Sequence, residues 1–464
     1  MTTSQLARAI NADFSGSDVL FSGVSKDSRN IHPGDLYVAL KGERFDGHRF
    51  LAEVAEAGAA AALVSEPQAL ELPQVQVADT REALGRMAAH WTRQWREKTG
   101  GKMIGITGSN GKTTVKEMCR KILVDASSDD AVLSTKGNLN NEIGLPMTLL
   151  ELREQHRYAV IEMGASHVGD IEYLTRIARP DVAVLNNAGS AHLEGFGSLQ
   201  NIAKGKAEIY NGLNEKGVAV INEDDAFAGY WHAYCEKHTR ARKIIGFSMR
   251  DENADVYARA VEGAAYRLVA DGREAPLQLQ VPGRHNVMNA LAAAAATLSL
   301  GIELSSIAAS LSSFENIAGR LSIKTAANGC KVVDDSYNAN PLSVAAAIEV
   351  LAGMSDDSVL VLGDMAELGE EAPALHAEVG RQAESAGIKT LFATGKFGRY
   401  TVDAFREAGG DNGFYFERKN DLIEALKEKL TGSEVVLVKG SRSAAMEEVV
   451  ERILARNNKN KRVT

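Results

Sequence analysis

This sequence predicts a three-domain α/β protein: a small N-terminal α/β domain, a central doubly wound domain of the mononucleotide-binding, phosphate-loop type, and a C-terminal Rossmann-like α/β domain. Three observations predict it. A short apolar strand, Met103-Ile104-Gly105-Ile106, turns through glycines into a helical pattern that begins at Lys112-Thr113-Thr114. After it, the apolar runs YAVIEM, VAVLNN, GVAVIN and KIIGF alternate with helical stretches at the spacing of a parallel sheet. Near Phe314 the alternation restarts through KVVDDSY, VLVLGDM, TLFATG, GFYF and EVVLVKG. The expected domains are 1–80, 81–313 and 314–464.

In chain order, the first domain reads as a short helix (SQLARAI), strands at DLYVAL and AAALVS, and a helix at FLAEVAEAGA between them. Its loops at 25–29 and 41–48 carry Ser28, Arg29 and His48, which could hold an anionic or hydrogen-bonding ligand but by residue type alone read rather as ordinary loop polarity. From Asp79, the residues Leu84, Met87, Ala88, Trp91 and Trp95 recur at helical spacing, so an amphipathic helix leads into the phosphate-loop strand. Residues 253–282 read as short antiparallel strands, and GRHNVMNALAAAAATLSLGI as one long helix. Its apolar run is too short to span a bilayer and reads as a packed core helix.

The whole-chain figures exclude several classes. At 464 residues, 45% hydrophobic and 24% charged, the chain is an ordinary globular protein of several domains. A net charge of −9, with no basic block except the NKNKR run at 458–462, argues against a nucleic-acid partner. Cys119, Cys235 and Cys330 lack C-x-x-C spacing, so neither a disulfide framework nor a zinc site is expected. MTTSQLARAI lacks the charged and apolar regions of a signal peptide. The expectation is a cytoplasmic monomer without membrane insertion.

Chemistry gathers at strand ends. In Thr107-Gly108-Ser109-Asn110-Gly111-Lys112-Thr113-Thr114 the turn aims backbone N–H groups of a helix N-terminus at one point, an anion site. Lys112 suits the β- and γ-phosphates of ATP or GTP, and the Thr113 hydroxyl suits Mg²⁺. The strict pattern G-x-x-x-x-G-K-[ST] wants glycine at 106, where Ile106 stands; the mid-loop glycine here is Gly108. Glu162, at the end of the next strand, is placed to hold the same Mg²⁺ or to cap a helix. His192 follows the strand after that, where it serves either structure or a second cation. By residue pattern alone, Lys206 is a solvated helix lysine.

Taken together, TGSNGKTT, IEMG, AHLEGFGS, AKGKAEI, GRHNVMNA, AGR and DDSYNANP occur in the order found in the Mur ligases, which the chain resembles over essentially its whole length. DSRNIHPGDLYVALKGERFDGHRF, GNLNNEIGLPMTLL, GDMAELG and VLVKGSRSAAMEEVV resemble the branch that adds D-alanyl-D-alanine to UDP-N-acetylmuramoyl-tripeptide. The Asp-Asn-Pro-Arg motif of the diaminopimelate-adding branch is absent. The resemblance implies ATP, two Mg²⁺ ions and an acyl-phosphate route to an amide. It implies that Gly108, Ser109, Asn110, Gly111, Lys112, Thr113 and Thr114 hold the phosphates, and that Thr113 and Glu162 hold one Mg²⁺. His192 and a CO₂-derived carbamate on Lys206 would hold the second. Asn286 and Asn289 would contact adenine, Asp335 the ribose with Asn338 beside it, and Arg320 the phosphates. Ser28, Arg29, Asp46 and His48 would grip the UDP end, Asn140 and Asn141 the nucleotide sugar, and Lys439, Ser441 and Arg442 the dipeptide. Two rivals stand against it: a folylpolyglutamate-type ligase, which the DSR and FDGH segments oppose, and a phosphate-loop switch, which leaves His192 and Lys206 without a use.

Overall fold

The computed structural model describes residues 1–239, 243–261 and 265–455; the basic run at 458–462 lies outside them. Three sheets carry the fold. The first holds β1 (Asp13–Ser15), β2 (Gly23–Ser25), β3 (Asp35–Val38), β4 (Ala61–Val64) and β5 (Gln74–Gln76) in the order β1-β5-β4-β3-β2, with only β1 antiparallel.

The second sheet has nine strands: β6 (Lys102–Thr107), β7 (Val132–Ser134), β8 (Tyr158–Glu162), β9 (Val182–Leu185), β10 (Val218–Asn222), β11 (Lys243–Ser248), β12 (Val256–Val261), β13 (Ala265–Ala270) and β14 (Arg273–Leu277). Their order is β14-β13-β12-β11-β10-β9-β6-β8-β7. The antiparallel strands expected at 253–282 are therefore no separate unit, because β12 pairs in parallel with β11 and prolongs the central sheet. Strand order reverses around β6, and such a reversal opens a crevice at the carboxyl ends of the strands. The third sheet holds β15 (Ser322–Thr325), β16 (Lys331–Asp335), β17 (Ser358–Leu362), β18 (Thr390–Thr394), β19 (Gly413–Phe416) and β20 (Val435–Lys439), in the order β15-β16-β20-β17-β18-β19. All its pairs are parallel except β15 with β16.

The period-two side-chain pattern sorts the central strands onto two cores. Ile104, Ile106 and Val160 face one, while Met103, Ala159 and Ile161 face the other. On the first face the alanine-rich helix Arg284–Leu298 packs against Lys112–Ala126, the helix of the phosphate loop. Residues 290 to 296 are all buried, and six of the seven are alanine, which lets the two backbones approach closely.

Helix Thr80–Thr99 joins the first two domains. Its Ala83, Leu84 and Met87 lie in the N-terminal core and its Ala88 and Trp95 in the central one. Truncating the fully buried Leu84 to alanine is expected to cost about 2–5 kcal/mol and to loosen this joint.

Candidate active site

The phosphate loop leaves β6 at Thr107 and enters its helix at Lys112. Gly111, the residue before the helix, has φ 79°, a left-handed conformation that favours glycine. No side chain caps this helix, so its first N–H groups point toward the cleft. The loop itself is held from β9: Asn110 N–H donates to Asn187 Oδ1 at 2.8 Å, and Ser109 Oγ bonds Gly189. Asn186 Nδ2 donates to the Asn110 carbonyl and also to Asn289 Oδ1 at 2.9 Å. Asn289 in turn donates to Asn286 Oδ1 at 3.2 Å, so the two asparagines three apart on their helix sit side by side and buried.

A cleft of about 1190 Å³ opens above these strand ends. The structure brings to it Ser109, Asn110, Gly111, Lys112, Thr113, Thr114, Asn140, Asn141, Glu162, His192, Asn286, Asn289, Arg320, Asp335, Asn338, Lys439 and Arg442. Lys112 folds back on its loop, donating to the Gly108 carbonyl at 2.7 Å and that of Ser109 at 3.3 Å. Burial lowers its pKa; Glu162 acts against that and Arg320 adds to it.

One corner gathers hard oxygen donors. Thr113 Oγ1 donates to Glu162 Oε2 at 2.8 Å, and Asn140 Nδ2 donates to Glu162 Oε1 at 2.8 Å. A hydroxyl at a helix start and a carboxylate at a strand end fit Mg²⁺, which prefers oxygen ligands. From the third domain Arg320 Nη2 donates to the same Thr113 Oγ1 at 2.9 Å, its guanidinium 4.4 Å above the ring centre of Tyr337. Asn340 and Asn110 exchange amide bonds of 2.7 and 3.3 Å across the same junction.

His192 meets the carboxylate of Glu367, again across domains. Both residues have left-handed backbones, φ 57° and 62°, a conformation that non-glycine residues keep only where their surroundings enforce it. The bond from His192 holds the Glu367 carboxyl below its ordinary range. Lys206 lies off the cleft lining, 1% exposed, with its amine 5.7 Å from the ring centre of Phe196. Burial, followed by the charge of Lys112, pushes its pKa well down, which favours the neutral amine. Lys204, two residues earlier on helix Leu199–Ala207, is exposed. The solvated reading therefore describes Lys204 and not Lys206.

In the third domain Lys439 Nζ donates to Asp335 Oδ2 at 2.6 Å and to the Asn338 carbonyl at 2.9 Å. Arg442 pairs with Glu447, and buried Ser441 bonds Ser443. Four residues lie elsewhere, in the N-terminal domain. Arg29 is paired with Asp27 beside Ser28, and His48 is bonded to Asp46 at 2.7 Å. Because His48 Nε2 accepts from Ser65 N–H, its Nδ1 carries the proton given to Asp46. Asn141 Oδ1 accepts from Gly144 N–H at the start of its helix.

Sequence reasoning missed Glu367, Tyr337, Asn340 and the Asn186–Asn187 pair as members of this site. The paired asparagines just after β9 and the Asn-Pro step at 340 were visible signals. Glu367, in a loop of another domain, offered none.

The chain matches the Mur ligase middle domain over residues 106–297, the Mur ligase glutamate ligase domain over 319–442, and the Mur ligase family catalytic domain over 20–92. It is 44% identical over 456 residues, 97% of each chain, to the UDP-N-acetylmuramoyl-tripeptide–D-alanyl-D-alanine ligase of Escherichia coli K12. Its structure superposes on MurF from Acinetobacter baumannii with a TM-score of 0.89 at 35% identity, covering 98% of this chain and 99% of the other. MurF from Thermotoga maritima, solved in complex with ADP, gives a TM-score of 0.80 at 28% identity, covering 94% and 98%.

Proposed function

The chain belongs to the Mur ligase family, and from that premise we propose that it couples ATP cleavage to amide formation between UDP-N-acetylmuramoyl-tripeptide and D-alanyl-D-alanine. It is an ATP-dependent carbon–nitrogen ligase of peptidoglycan precursor synthesis. The observation that carries the reading is the meeting at one cleft of the phosphate loop, the Thr113–Glu162 corner and Arg320 from the third domain.

Phosphoryl transfer asks for positioning and charge compensation more than for covalent help from the protein. The loop N–H groups and Lys112 cradle the β- and γ-phosphates while a carboxylate oxygen of the tripeptide attacks the γ-phosphorus. ADP leaves, and the acyl phosphate remains on the substrate. The dipeptide amine then adds to the acyl carbon, loses a proton, and phosphate departs from the tetrahedral centre. Arg320 completes the charge compensation when the third domain is closed on the second. Asn286 and Asn289 hold adenine, and Asp335 holds the ribose with Asn338 beside it. Lys439 orients Asp335 through its 2.6 Å bond to Oδ2, while Ser441 and Arg442 border the dipeptide. Ser28, Arg29, Asp46 and His48 shape the UDP end, and Asn140 and Asn141 lie along the sugar.

Thr113 and Glu162 would hold one Mg²⁺, and His192 with a carbamate on Lys206 a second. When bound, the ions offset the charge of triphosphate and carboxylate brought together. Lys206 suits carbamate formation because burial favours its neutral amine, the form to which CO₂ adds. No helix among the described residues is long and apolar enough to cross a membrane. A cytoplasmic monomer is part of the same proposal.

Phosphate release tests it. It should require ATP, the UDP-sugar tripeptide and D-alanyl-D-alanine together, and phosphate release that ignores the amine would reject the ligase reading.

A further inference from the structure

Behind the phosphate loop lies a buried lysine that the reaction above does not use. Lys116, one turn after Lys112 on the same helix, is 2% exposed. Its Nζ donates to the Thr135 carbonyl at 2.8 Å and contacts the carboxylate of Glu117. A polar group buried without hydrogen-bond partners costs free energy, and Lys116 meets that demand by bonding the Thr135 carbonyl.

Thr135 is wholly buried and all its polar groups are engaged. Its N–H donates to the Val160 carbonyl at 3.1 Å, one step past the last β7–β8 pair, Ser134 with Val160. Its hydroxyl accepts the N–H of Glu162 at 2.9 Å, and its carbonyl is turned to Lys116. The end of β8 is thus held by a side chain where the ladder runs out. The chain leaving Thr135 reaches Asn140, whose amide bonds the Glu162 carboxylate and whose carbonyl accepts Gly164 N–H at 2.8 Å. Glu162 is therefore gripped at its main chain and at its side chain by one segment, and Lys116 bolts that segment to the helix carrying Thr113.

We propose that Lys116 and Thr135 are positioning residues that fix Glu162 against Thr113, so that the two oxygen ligands on separate elements meet at the distance Mg²⁺ requires; this rests on the Mg²⁺ role proposed above for that pair. Outer partners of metal ligands commonly set metal affinity although they never touch the ion.

The test compares Lys116→Met, Thr135→Val and Thr135→Ser. Two readouts are taken: the Mg²⁺ concentration for half-maximal phosphate release, and the Mg²⁺ dependence of ADP binding by calorimetry. Lys116→Met and Thr135→Val should each raise the Mg²⁺ requirement about tenfold, with ADP affinity in EDTA within about twofold of the parent. Thr135→Ser keeps the acceptor and should recover most of that loss, which a purely structural role would not predict. Parental Mg²⁺ requirements in both Lys116→Met and Thr135→Val overturn the proposal, whatever happens to the melting temperature. Should Lys116→Met fail to fold, the Thr135 pair decides alone. Failure of the parent protein to release phosphate with both substrates would strike the ligase reading instead, and ADP binding would still decide the positioning roles.

Discussion

Arg320→Ala separates binding from chemistry more cleanly than other changes at the cleft. Arg320 begins the third domain, yet its Nη2 reaches Thr113 on the phosphate-loop helix at 2.9 Å, steadied by the Tyr337 ring. A hydrogen bond from a charged donor contributes about 1.5–3 kcal/mol. On the role proposed for it, in which the arginine acts on the phosphates when the third domain is closed on the second, nearly all of that loss should fall on the reacting state. At about 1.4 kcal/mol per decade this is a fall of roughly 10- to 150-fold in turnover. The dissociation constant of ATP, whose proposed contacts are the central domain's loop and Asn286–Asn289, should change by about twofold at most. Arg320→Lys, which keeps the charge but not the planar fork, should fall between the two. The assay is pre-steady-state phosphate release beside calorimetric ATP titration. Equal factors in ATP affinity and turnover would refute the reasoning, because they would make Arg320 an ordinary nucleotide contact.

Three further outcomes follow from the same geometry. Lys206→Ala should abolish turnover and acetate should partly restore it, whereas Lys204→Ala on the exposed face should cost under about 0.5 kcal/mol; parallel rates in the two variants would return Lys206 to a packing role. Lys112→Ala should remove ATP-dependent phosphate release with little change in melting temperature, and near-normal turnover would mean that this loop is not the phosphate site. The Asp46 carboxyl is held below its ordinary value of 3.8, chiefly by its side-chain bond from His48. A lowered folded value contributes stability above the unfolded value and loses it as pH falls through the lowered one, so Asp46→Asn should destabilise at pH 7 and converge on the parent as pH falls below the ordinary carboxylate value of 3.8 and through the lowered one. Denaturant titrations across pH check this; a gap independent of pH would show that the carboxylate charge is not what matters.

Local pattern made some of this protein legible and topology hid the rest. Strand β6, the loop and its helix announce themselves within a dozen residues, because the turn chemistry and the hydrophobic period are contiguous. The antiparallel run at 253–282 was readable as strands, but its pairing with β11 was not, since strand neighbours are chosen by long-range packing. Lys206 shows the limit for single residues: its own helix pattern gave a solvated lysine, and burial against Phe196 is tertiary information. Glu367 with His192, Lys439 with Asp335, and Lys116 with Thr135 join residues 175, 104 and 19 positions apart. Nothing in the composition of either partner's segment points to the other.

The central claim is that the tripeptide carboxylate is activated as an acyl phosphate in this cleft, and isotope transfer tests it most directly. UDP-N-acetylmuramoyl-tripeptide labelled with ¹⁸O in its reacting carboxylate is turned over with ATP and D-alanyl-D-alanine, and the released phosphate is examined by mass spectrometry. One carboxylate oxygen bonds the γ-phosphorus and leaves with it, so the account predicts one ¹⁸O in each phosphate, in step with amide formed. Unlabelled phosphate, with ¹⁸O retained in the product or lost to water, would contradict it.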